Sequence, residues 1–234
     1  MPSAKRRLDQ LLSSLGLVAR SQVAAAIRAG EVSVEGEAKL RPDLKVDPAK
    51  VQWQGKALEH TEGLLIMLHK PLGVVCSHDE SEGPNVYQLL PAAWRARHPA
   101  VESVGRLDKE TSGLLLLTDQ HQLLHRLISP RQHVAKTYVL ETDLPIPSSL
   151  VALFASGDLL LKGEGKACLP AQLTILEERK ATLVLHEGKY HQVRRMFSSQ
   201  GLEVLALHRR SFGALELGDL PVGAYRTLPL DFRF

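Results

Sequence analysis

The chain has 234 residues, of which 44% are hydrophobic and 24% charged, a balance that excludes an intrinsically disordered protein and suits one mid-sized domain with a small appended one. No apolar run approaches the ~20 residues that cross a bilayer, no signal-peptide core follows Met1, and Cys76 and Cys168 lack metal-ligand spacing. A cytoplasmic protein with reduced thiols, no metal and no membrane contact is expected.

Net charge is only +3, but its distribution is uneven from the start of the chain. Residues 1–30 hold Lys5, Arg6, Arg7, Arg20 and Arg28 against one acid, Asp9. Within them Leu8, Leu11, Leu12 and Leu15 share one face of a helix predicted over residues 5–15, and Gly16 can supply its left-handed cap. Ser21 suits the N-cap of a second helix, with Val23 and Ile27 on its buried stripe and Gly30 ending it. Glu31 to Gly36 alternates as a short strand into a turn, and Arg41 through Gly55 adds further short strands. Residues 59–63 read as a polar linker. The change of pattern divides the chain into a module at 1–62 and a body at 63–234.

In the body, strands are predicted over 65–68, 101–104, 114–118, 137–141, 172–176, 182–186, 203–207 and 214–217. Helices are predicted over 120–128, 148–155 and 190–200, with Pro130 and Gly201 stopping the first and last. Many strands and few helices imply an α+β fold with a mixed, largely antiparallel sheet. Two more basic stretches lie here. Arg126, Arg131 and Lys136 face no acid within residues 120–138, and Lys189, Arg194, Arg195, Arg209 and Arg210 outnumber Glu187 and Glu203 within 186–210. Separate basic stretches on a near-neutral chain point to a polyanion tracked across one face, although solvated surface charge produces the same pattern.

Three constellations carry chemistry. The first, Gly105-Arg106-Leu107-Asp108-Lys109-Glu110-Thr111-Ser112-Gly113, is a polar loop between two apolar strands and can hold a carboxylate rigidly at a sheet end. An aspartate in such a loop often does no more than cap a turn. The second, Lys136-Thr137-Tyr138, puts an aromatic ring on a strand, where a base could stack or where the ring could simply be half-buried. The third runs from Glu187 to Phe197. On a helix beginning near Tyr190, His191 and Arg194 share one face, while Val193, Met196 and Phe197 turn to the core. Arg195 points elsewhere, to solvent or a phosphate.

The Gly105–Gly113 loop with its leucine-rich strand, then Lys136-Thr137-Tyr138, then His191-Gln192-Val193-Arg194-Arg195-Met196, resembles in order the motifs of pseudouridine synthases. Residues 5–36, opened by Arg7-Leu8-Asp9 and closed by Val32-Ser33-Val34-Glu35-Gly36, are similar to an S4 RNA-binding module. Leu68-His69-Lys70-Pro71-Leu72-Gly73 resembles the body entrance of the S4-bearing subfamily, where asparagine is common at the position of His69. The resemblance spans nearly the whole chain and implies an S4-like module followed by a pseudouridine synthase fold.

It implies further that Asp108 is the nucleophile, attacking either sugar or base, and that Arg194 pairs with it. Tyr138 would stack on the flipped uracil and Leu207 would wall the pocket. Arg106 would fill the space left by the flipped base. Arg6, Arg7, Arg20, Arg28, Lys136, Arg195 and Arg209 are the remaining expected RNA contacts. Isomerisation of uridine gains and loses nothing, so no redox or group-carrying cofactor is required. The short C-terminus favours a 16S rRNA enzyme, whose usual target is uridine-516, working as a monomer on 16S rRNA or a pre-30S particle. A large-subunit 23S rRNA synthase and a non-catalytic S4-type RNA-binding or assembly protein remain alternatives. A glycoside hydrolase with Asp108 as nucleophile is a remote third option, since the sequence offers no clear second carboxylate partner.

Overall fold

The N-terminal leucines do segregate to one helix face, but the helix is shorter than their spacing predicts. The computed structural model describes residues 4–129 and 132–234, so the expectations for Pro130 and Arg131 lie outside the described residues. In chain order the first part comprises β1 (Arg6–Arg7), α1 (Leu8–Ser14), a 3-10 turn at Arg20–Gln22, α2 (Val23–Arg28), β2 (Val32–Val34), β3 (Lys45–Val46), β4 (Val51–Trp53) and β5 (Lys56–Ala57). Arg6 and Arg7 pair antiparallel with β3, which takes them out of the helix. The first amides of α1 then donate to the Leu44 and Pro42 carbonyls, so backbone rather than a side chain closes that end. Ser21 caps nothing, because it sits inside the 3-10 turn. Leu8, Leu11, Leu12 and Leu15 are buried with Val23, Val32, Val34, Val46 and Val51 in a hydrophobic cluster of their own.

The second part comprises β6 (Leu65–Lys70), α3 (Ala92–Arg95), β7 (Glu102–Ser103), β8 (Ser112–Thr118), α4 (His121–Ile128), β9 (Lys136–Thr142), α5 (Ser149–Ser156), β10 (Gln172–Glu177), β11 (Lys180–Leu185), α6 (Gln192–Ser198), β12 (Val204–Phe212), β13 (Leu215–Glu216) and β14 (Tyr225–Thr227). These nine strands form one mixed sheet in the order β10-β11-β9-β12-β8-β6-β14, with β7 beside β8 and β13 beside β12. Only β12 and β8 run parallel. Strand β12 extends five residues beyond its predicted end at 207. Neither α3 nor β14 was legible in the sequence, since each is a single turn or three residues without periodicity.

Central strands β6 and β8 read as unbroken apolar runs because both of their faces are covered. Ile66, Leu68, Leu115 and Leu117 join the cluster under α5 and α6, while Leu65, Met67, Leu114 and Leu116 join the one under α4 and the C-terminal phenylalanines. Residues 59–63 are pinned rather than a free tether. Arg97 and Asp119 form a buried ion pair at 2.8 Å; Arg97 also donates to the His60 carbonyl and Asp119 accepts from the Leu64 amide. Arg6 donates to the Thr61 carbonyl, and the His98 amide donates to the Ser14 carbonyl across the two parts.

Candidate active site

One line of residues crosses four strands at the end of the sheet: Tyr138 on β9 opposite Arg209 on β12, Arg209 opposite Gly113 on β8, and Gly113 opposite Lys70 on β6. Gly113 is required there. A Cβ at this position would lie 2.2 Å from the Arg209 carbonyl oxygen, and its φ of +114° is one that L residues avoid. The loop before β8 carries Asp108 and is tied down from below by Lys70. That side chain is fully buried, and its ammonium donates to the carbonyls of Pro71 (3.0 Å), Asp108 (3.0 Å) and Thr111 (2.8 Å). Burial lowers its pKa, and its three acceptors are neutral backbone oxygens. A lysine closing a strand of four apolar residues and a histidine was the signal for Lys70, a site residue whose role the motifs alone do not reveal.

Asp108 and Arg194 do not pair. Arg194 donates instead to the Glu110 carbonyl at 3.0 Å and the Val204 carbonyl at 2.6 Å, so it grips the Asp108 loop through its backbone and ties it to β12. The group facing the Asp108 carboxylate is His191, with Nε2 at 3.2 Å from Oδ1. The predicted helix begins two residues later than expected, at Gln192, and His191 is its N-cap in a left-handed conformation, φ +46°. Such a backbone is uncommon outside glycine and persists only where surroundings enforce it. Gln192 enforces it here: it is buried, accepts from the Lys189 amide and donates to Glu187, closing the turn. The Tyr190 ring, itself largely exposed, stacks on the imidazole at 3.9 Å.

Asp108 opens into a cavity of about 560 Å³, within the range of small-molecule and nucleotide sites. Tyr138, 8% exposed, and Leu207 form apolar wall; Arg106 stands exposed on the same loop as Asp108. Lys136 and Arg209 also line it, both near the Phe212 ring: the Lys136 Nζ lies 5.5 Å and the Arg209 guanidinium carbon 5.6 Å from the ring centre. Burial first, then the neighbouring Arg209 charge, lower the Lys136 pKa to about 8. The described residues contain no cluster of three metal-ligating side chains, and none of their helices is long and apolar enough to cross a membrane.

The remaining expected RNA contacts divide. Arg7 and Arg20 are taken up by Asp9, whose carboxyl they hold down at about 2. Arg6 donates to Ser14 and the Thr61 carbonyl. Arg195 pairs with Glu164 at 2.7 Å and donates to the Lys162 and Tyr190 carbonyls, so it braces a loop. Arg209 is 2% exposed and lies in the cavity wall rather than on the outer surface. Of the expected contacts, Arg28 and Arg106 alone stand exposed with no side-chain ion pair or hydrogen bond to the described residues.

Residues 64–199 match the family model described as RNA pseudouridylate synthase, and residues 6–51 match that of the S4 domain. The chain is 38% identical over 227 residues to the ribosomal small subunit pseudouridine synthase A of Yersinia pestis, which covers 95% of this chain and 94% of that protein. The protein of the same description from Escherichia coli K12 is 37% identical over 227 residues, covering 95% and 96%. A solved structure described as a pseudouridylate synthase aligns with a TM-score of 0.66 at 36% identity, over 97% of this chain and 96% of that one.

Proposed function

The chain belongs to the RNA pseudouridylate synthase family and carries an S4 domain, and from that premise we propose that it converts a uridine of 16S rRNA, uridine-516, to pseudouridine with Asp108 as nucleophile. In this reaction the N1–C1′ bond breaks, the base turns, and C5 joins C1′. The proton on C5 leaves and N1 takes one up, so atoms balance without oxidant or reductant.

The observation that carries the reading is the Asp108 carboxylate opening into a cavity with the Tyr138 ring and Leu207 in its wall. A nucleophile must be held still while its target is brought to it, because misplacement costs rate steeply. Here the loop is held through the Asp108 and Thr111 carbonyls by Lys70 and through a third, that of Glu110, by Arg194. His191 sets its Nε2 3.2 Å from the carboxylate Oδ1 and so fixes the direction in which Asp108 faces. Tyr138 gives the uracil a stacking surface. Arg106, exposed at the rim, fills the space the base leaves in its helix. The module at 1–62, through Arg28, and the body at 63–234, through Arg106, supply phosphate contacts. We place the enzyme in the cytoplasm, as a monomer on 16S rRNA or a pre-30S particle. The small-subunit relatives support this target over 23S rRNA.

The test is tritium release from C5-labelled 16S and 23S rRNA transcripts, followed by mapping of the modified position. Release from 16S alone, lost in Asp108→Asn, is the expected result. Release from 23S alone moves the target to the large subunit. RNA binding without release from either would make the chain a binding or assembly protein.

A further inference from the structure

Among the described residues two buried side-chain polar atoms have no hydrogen-bond partner, Thr111 Oγ1 and Arg209 Nη2, and both residues line the cavity that holds Asp108. Buried polar atoms are nearly always paired in folded proteins, and an orphaned charged donor is among the costliest groups to bury, so each exception requires a reason. The two are neighbours. Arg209 lies opposite Gly113 in the parallel pair of β12 and β8, and Thr111 is two residues before Gly113.

The rest of the Arg209 side chain is committed, its Nε donating to the Leu114 carbonyl at 2.7 Å. Lys136 packs on the same Phe212 ring, and its ammonium donates to the Val134 carbonyl at 3.1 Å. The carboxylates of this region are engaged elsewhere: Asp108 with His191, and Glu164 with Arg195 and Lys189. Glu187, in the same lining, accepts only from neutral groups, Gln192 and the Leu169 amide, and its charge acts on Lys136. Two cations, neither in an ion pair, therefore line the cavity against one carboxylate, Glu187, next to a hydroxyl with nothing to bond.

We propose that this part of the cavity is an anion subsite, in which Arg209 Nη2, the Thr111 hydroxyl and Lys136 Nζ receive a phosphate flanking the flipped uridine. The inference rests on the reading of the cavity as the uridine pocket. A neutral uracil carbonyl would satisfy a donor but leave the excess positive charge of Lys136 and Arg209 over Glu187 unmatched, whereas a phosphodiester supplies both charge and acceptor oxygens. The subsite fixes the ribose relative to Asp108 and makes the enzyme choose a nucleotide in a strand over a free nucleoside.

The experiment uses rRNA fragments in which each phosphate flanking the mapped uridine is replaced in turn by a neutral methylphosphonate. They are assayed with the wild-type chain, Lys136→Met and Thr111→Val. One substitution is expected to weaken wild-type binding about ten- to hundredfold, the range of charge-assisted bonds, and to weaken Lys136→Met binding less than about threefold. Thr111→Val removes an orphaned hydroxyl, so it is expected to fold at least as stably as wild type while losing affinity for the same phosphate. The proposal is overturned if neither flanking phosphate matters to the wild-type chain, or if its loss is as large in Lys136→Met, or if Thr111→Val binds unmodified RNA normally. Tritium release from unmodified rRNA by the wild-type chain reports the uridine reading separately, so the two failures cannot be confused.

Discussion

Asp9 and Asp108 are both aspartates beside basic residues, and the structure treats them in opposite ways. Asp9 accepts from Arg7 twice, from Arg20 and from the Gln10 amide, all at 2.8–3.0 Å, so every lone pair in easy reach is used. Asp108 has one side-chain partner, His191, and shares its cavity with an unpartnered guanidinium nitrogen and an unpartnered hydroxyl. A closed network holds chain segments together; an incomplete one is waiting for a ligand. The comparison teaches that basic density along the sequence does not mark an RNA contact until the local carboxylates have been subtracted.

The largest expected effect falls on the incomplete side. Asp108→Asn keeps shape and most phosphate contacts, and should lose at least ~10³-fold in turnover while RNA affinity holds. Measurable pseudouridine formation by the pure variant would sink the nucleophile assignment. His191→Ala should lose less, and His191→Gln, which keeps a donor, should recover part of the loss in kcat. Equal rates for the two variants would reduce His191 to a cap of α6.

On the closed side, the effects should appear in stability instead. Arg97→Ala leaves Asp119 buried and unpaired, which should cost about 3–5 kcal/mol in urea unfolding. An unchanged midpoint would mean that water replaces the arginine at no cost. Asp9 gives a smaller, pH-dependent term. Its folded pKa, about 2, is depressed below the ordinary 3.8, so its contribution is present above pH 4 and is lost as pH falls through about 2. Because Arg7 and Arg20 are about half in solvent, about 1–2 kcal/mol is the expected size. Asp9→Asn should remove that pH dependence, as read by denaturation at pH 7 and pH 2.

The smallest effect separates free from engaged cations. Arg28→Ala should reduce the slope of log affinity against log salt by about 1, whereas Arg195→Ala should leave the slope nearly unchanged. Slopes that fall equally would show that the Glu164 pair opens on RNA.

Much of this molecule follows from local pattern. Alternation and run length are properties of consecutive residues, so most strands of the body, the mixed sheet and the N-terminal leucine cluster are legible, while the two- and three-residue strands β1 and β14 are not. Small errors came where a neighbour intervened: β3 drew Arg6 and Arg7 out of α1, and the Glu187–Gln192 turn delayed α6 to Gln192. The Asp108 loop, Tyr138 and Leu207 were legible too, because the motifs and their order are written in the chain.

By itself, then, the sequence determined the fold class, the leucine cluster of the N-terminal helices and the loop that carries Asp108. Only the tertiary structure decided which charge faces which: His191 rather than Arg194 at Asp108, Asp9 between Arg7 and Arg20, Lys70 under the loop, Arg209 buried beside Lys136. The reason is physical. Burial of an apolar stripe depends on spacing along the chain, but the pairing of ions depends on distances and desolvation through space, and residues far apart in sequence set both.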